Sequence, residues 1–141
     1  MFGMTKKQFL KKSKKSLKDI GIELLITREI ISQETNNCVD LEETYLKMEK
    51  IRKNLEEIFF KYEKLNPPSK CKKLQINLLN AIIILQESVV ANTEHLILLK
   101  DGSTELSKDK LKKSKDKLGR FREKYGILSR EVDLYLKPRK K

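Results

Sequence analysis

Apolar residues recur at helical spacing in four long blocks of this chain, and turn signals separate the blocks. In the first block Leu10, Leu17, Leu24 and Ile31 fall every seven residues, with Ser13, Ile20 and Thr27 between them. A repeat of 3.5 residues is the seam of helices that cross at a shallow angle. Thr5 is placed to cap this helix, which the pattern predicts over about residues 5–34. Gly21 costs about 1 kcal/mol inside a helix relative to alanine, so its presence predicts a close approach by a neighbour. The polar segment from Glu34 to Val39 follows as a connection. Asp40 and Glu43 then stand at capping-box spacing ahead of a second seam, Leu41, Met48, Leu55 and Tyr62. Tyr45, Ile51, Ile58 and Leu65 run beside it, giving a second helix over about 40–65.

Asn66-Pro-Pro-Ser69 forces a turn, because a residue before proline is pushed out of the helical region. The third block, Leu74 to Leu99, is the most apolar, with 16 apolar residues among 26. A membrane-spanning helix needs about 20 nearly continuous apolar residues, whereas the longest unbroken run here is Ala81 to Leu85. Helical spacing with polar interruptions predicts a core helix over 69–100, apolar on most of its circumference. Asn92 falls on its seam, where a buried polar residue fixes register. Gly102 is the expected left-handed terminator. In the fourth block Leu111, Leu118, Tyr125 and Val132 form one row and Ser114, Phe121, Leu128 and Tyr135 the other. That helix runs over 104–136, to a stop at Pro138, and Gly119 and Gly126 predict a second close approach.

Four long helices joined by short connections make antiparallel neighbours. The expected fold is therefore an all-α, up-down-up-down four-helix bundle, one domain over residues 1–141. The competing arrangement is a homodimer in which the first helix packs across the interface, since the same seam serves coiled coils. Cys38 and Cys71 would lie at opposite ends of such a bundle, too far apart for a disulfide. The Lys-rich start lacks the apolar core of a secretion signal, which points to the cytoplasm, or to the cell surface for a chain whose leader has been removed.

The segment from about Phe59 to Phe121 resembles small bacterial helical-bundle families, many of them lipoproteins. It shares a Leu-x-Pro-Pro lead-in (Leu65 to Pro68), a Leu-rich helix, a Gly-Ser turn at Gly102-Ser103 and a Lys-rich amphipathic helix. The resemblance implies a bundle and no particular activity. Members often carry a histidine early in the long helix, where this chain has Leu74 and Gln75.

Candidate chemistry is sparse. His95, the single histidine, has Ala91, Asn92, Leu98 and Leu99 at helical neighbour spacing, so no ligand or acid/base partner accompanies it. The carboxylates of the second helix alternate with lysines at i,i+4 spacing, the pattern of a solvated face, and none is expected to point inward. Phosphate-binding glycine loops and nucleophile motifs are absent. The pattern predicts a non-enzymatic protein without cofactor, metal site or small-molecule substrate.

Charge changes that picture. The chain carries a formal +12, concentrated at its two ends: residues 1–20 hold seven lysines against one aspartate, and residues 103–141 hold fourteen cations against six anions. In an antiparallel bundle Lys6, Lys7, Lys11, Lys12, Lys14 and Lys15 share one end with Lys70, Lys72 and Lys73 and with Lys137, Arg139, Lys140 and Lys141. Such a concentration attracts anionic macromolecules, nucleic acid or the acidic face of a protein. A second basic band runs from Lys108 to Lys124 along the last helix. The alternative is a membrane surface, entered by Phe2, Met4, Phe9 and Leu10 beside the first lysines.

Overall fold

A computed structural model describes residues 3–36 and 39–137. Four helices form: α1 (Lys6–Thr35), α2 (Leu41–Glu63), α3 (Lys72–Lys100) and α4 (Thr104–Leu136), with a 3-10 turn at Ser69–Cys71 before α3. No strand occurs among the described residues. Each helix packs against its neighbours in a closed ring, α3 on α4 most extensively, and α1 and α3 also meet across the diagonal. The protein is an all-α four-helix bundle.

Local chemistry explains each boundary. Thr5 Oγ1 accepts from the Gln8 backbone N–H at 3.1 Å while Gln8 Oε1 accepts from the Thr5 N–H at 2.9 Å, so the cap of α1 is a full reciprocal box. Asp40 accepts from the Glu43 N–H at 3.0 Å and starts α2. That helix stops at Glu63, two residues short of the sequence expectation. Gln75 Nε2 reaches back from α3 to the carbonyl oxygens of Tyr62 and Leu65, at 3.2 and 2.9 Å, and satisfies two of the acceptors this early stop exposes. At the end of α3, Gly102 adopts φ 81°. The Ser103 N–H donates to Leu98 O and the Gly102 N–H to Leu99 O, the paired bonds of a Schellman ending.

The seams lie inside, as their spacing predicts. Leu10, Leu17, Ile20, Leu24 and Ile31 of α1 meet Met48, Ile51, Leu55 and Tyr62 of α2 in one core with Leu78, Ile82, Leu85, Val89 and Leu96 of α3. Leu118, Phe121, Leu128 and Val132 of α4 complete it. Between α3 and α4, Ser88 Oγ donates to Ser114 O at 2.7 Å and Ser114 Oγ donates to Ser88 O at 2.8 Å. Both serines are wholly buried, and their small side chains allow the close contact of these two helices. By length and composition α3 could cross a membrane, yet thirteen of its residues are buried in the bundle. A row of Ile76, Ile83, Val90 and Ile97 faces outward along it.

Two glycine expectations part company. A Cβ on Gly21 would sit 2.5 Å from the Tyr125 hydroxyl oxygen, which donates to Leu17 O at 2.8 Å, so here the glycine does admit a neighbour. Gly119 and Gly126 face open space, with nothing within 4 Å of where a Cβ would stand; their seven-residue spacing marks no close approach. Gly126→Ala should therefore stabilise the fold by about 1 kcal/mol through helix propensity. Gly21→Ala should destabilise it by a similar amount, because the tyrosine must give up its hydrogen bond. In a Tyr125→Phe background the obstructing oxygen is gone and Gly21→Ala should change sign. Urea midpoints of the four variants test this reversal.

Candidate functional site

The bundle brings the start of α1, the turn before α3 and the end of α4 to one end, and the basic residues divide there into distinct groups. Lys6 of α1, Lys70 of the turn into α3 and Lys73 at the start of α3 line one cleft of about 560 Å³ with Asn77, Glu131 and Tyr135. Its volume lies within the range of about 300–1,000 Å³ found for ligand clefts. A smaller cleft of about 310 Å³ adjoins it, lined by Lys6 and Tyr135 again together with Lys7, Leu10 and Leu136. The Lys6 ammonium lies 4.7 Å from the centre of the Tyr135 ring, a cation–π contact that holds the charge beside the aromatic face.

Other candidates are engaged or stand apart. Lys14 pairs with Asp133 at 3.2 Å and Lys15 with Asp19 at 3.4 Å, which neutralises both charges locally. Lys11, Lys12, Lys72 and Lys137 are exposed around the same end and line neither cleft. Arg139, Lys140, Lys141, Phe2 and Cys38 lie outside the described residues. Along α4 the second basic band is partly neutralised by α3, through Lys110 to Glu94 at 3.2 Å and Lys117 to Glu87 at 3.5 Å.

The membrane-facing reading of the first helix loses most of its apolar contribution. Phe9 is fully buried, with its ring centre 5.6 Å from that of Tyr62, and Leu10 is buried too. Met4 is half-buried. Tyr135 departs from expectation in the opposite sense: placed by its spacing in the α4 seam, it is 54% exposed. A seven-residue row drifts by about 20° per heptad around a straight helix, and by the third heptad after Ser114 it has left the core.

A second polar group occupies the opposite end of the core. Glu34, the last residue of the helix expected from the sequence, turns inward, where Asn92 Nδ2 donates to its Oε1 at 2.6 Å. Glu34 is 4% exposed and Asn92 fully buried, so an inward carboxylate comes from α1, while those of α2 stay out of the core. Glu34 Oε2 and Asn92 Oδ1 have no partner. Burial pushes the Glu34 carboxyl up from 4.5 to about 7, against the hydrogen bond from Asn92 and the nearby charge of Lys115. Nearby, His95 is buried and hydrogen-bonded, its Nδ1 2.7 Å from Ser107 Oγ and 2.9 Å from the Ser107 carbonyl oxygen. A second inward carboxylate, Glu23, accepts from Asn54 Nδ2 at 2.7 Å. Cys71 is free and buried. Among the described residues no three metal-binding side chains come together.

Comparisons with protein-family models, with curated proteins and with solved structures find no match to this chain.

Proposed function

We propose that this protein is a non-enzymatic binding module whose basic end holds the phosphate backbone of a nucleic acid. The observation that carries this reading is the convergence of Lys6, from the start of α1, and Lys70 and Lys73, from the turn into α3 and the start of that helix, on one cleft. Ammonium groups fixed on different helices present a spaced array of charge, and counterions released from the bound phosphates drive such association. Lys7 continues the array into the adjoining cleft, while Lys11, Lys12 and Lys72 enlarge the surrounding positive field. Phe9 and Leu10 serve the core in this reading and leave the surface to charge.

Titration of the protein into labelled nucleic acid at several salt concentrations, followed by anisotropy, tests the proposal. The logarithm of the affinity should fall linearly with log salt, and the slope gives the number of phosphates neutralised. Charge reversal at Lys70 and Lys73 together should weaken binding at least tenfold at low salt and flatten the slope by about two. Reversal at Lys14, already paired with Asp133, should change it far less. Absence of binding at low salt would overturn the proposal and reduce the net charge to a source of solubility.

A further inference from the structure

Resting on that reading, we infer that the Tyr135 end selects single-stranded nucleic acid over duplex, with a base stacked against the Tyr135 ring. Two observations lead there. Tyr135 is the exposed aromatic lining the basic clefts, and it lines both of them, so the ring stands where two spaces of about 560 and 310 Å³ meet. Lys6 shares both clefts and its ammonium lies over one face of the ring, so the base stacks on the opposite face, with a phosphate-binding charge close by. Alternation of aromatic faces with cations is the arrangement by which proteins follow a single strand.

The remaining lining residues separate the two kinds of nucleic acid. Glu131 contributes a carboxylate to the larger cleft, an acceptor for the exocyclic amino group of an unpaired base. Asn77 in the same cleft offers an amide that both donates and accepts, the complement of a base edge. A duplex keeps its base faces stacked and its Watson–Crick edges paired, so it can use only the lysines. An unpaired nucleotide can use the lysines, the ring and the amide together.

The test compares a short labelled single strand with the blunt duplex of the same sequence, by anisotropy at one fixed salt concentration, for the wild type, Tyr135→Phe and Tyr135→Leu. Stacking on one aromatic ring corresponds to roughly ten- to hundredfold in affinity. Tyr135→Leu should therefore lose at least tenfold on the single strand and less than twofold on the duplex. Tyr135→Phe, which keeps the ring, should stay within about threefold of wild type on both. The side chain is exposed in the last turn of α4, so helical circular dichroism should match across the three proteins. Equal losses on both probes, or no loss on the single strand, would overturn the preference while leaving the basic end as a binding site. Failure of both probes to bind wild type at low salt would remove the proposed function itself.

Discussion

Glu34→Gln should raise the stability of the bundle at pH 8 by about 3 kcal/mol and leave it nearly unchanged at pH 4. The carboxyl titrates near 4.5 when exposed and at about 7 when folded, so the folded chain holds its proton more tightly. A raised folded pKa gives stability that is fully present below pH 4.5, declines as pH rises from 4.5 towards 7, and is lost above about 7. Each tenfold gain in proton affinity corresponds to about 1.4 kcal/mol. Glutamine carries no charge to desolvate. Its amide can also face Asn92 head to head, giving a donor to Asn92 Oδ1 and keeping the acceptor for Asn92 Nδ2. The two atoms now without partners are Glu34 Oε2 and Asn92 Oδ1, one on each side chain. Denaturant melts of both proteins at pH 4, 6 and 8 read the effect; parallel stability curves across that range would refute the assignment.

How far the fold can be read from the chain depends on how local its causes are. Caps and terminators act over a few residues, so Thr5, Asp40 and Gly102 declare the helix ends, and rows of leucine and isoleucine declare the buried faces. The early stop of α2 is different, because it is completed by Gln75 from another helix. Glu34 looks like the first residue of a polar connection, yet it continues the row Ser13, Ile20 and Thr27 at the next seven-residue step. That continuation is a signal for its burial, masked by its charge. Tyr135 fails the other way: its row is real, but a straight helix carries the end of that row out of the core. Gathering three basic segments at one end follows from topology alone. Which lysines share a cleft, and which are taken by Asp19 and Asp133, depends on side-chain positions that spacing does not encode.

Asn92→Leu at the same site should act in the opposite direction, lowering stability by about 3–5 kcal/mol at pH 8. Asn92 donates to the Glu34 carboxylate, and breaking a buried pair by removing one partner leaves the other uncompensated. At pH 5 the carboxyl is neutral in the folded chain, so the loss should shrink to about 1–2 kcal/mol, the cost of an unmade neutral hydrogen bond. The pH dependence should thus become steeper than in the wild type, opposite to the flattening expected for Glu34→Gln. Replacing both groups, as Glu34→Leu with Asn92→Leu, removes the charge and its orphaned acceptor together, and should return stability at pH 8 to within about 1–2 kcal/mol of wild type or above it. The strongly non-additive cycle would mark the pair as one unit across the α1–α3 diagonal. Stability regained while native dimensions or near-ultraviolet circular dichroism change would mean that the pair also fixes the register of these helices, the use to which a buried polar residue is put in a helical seam.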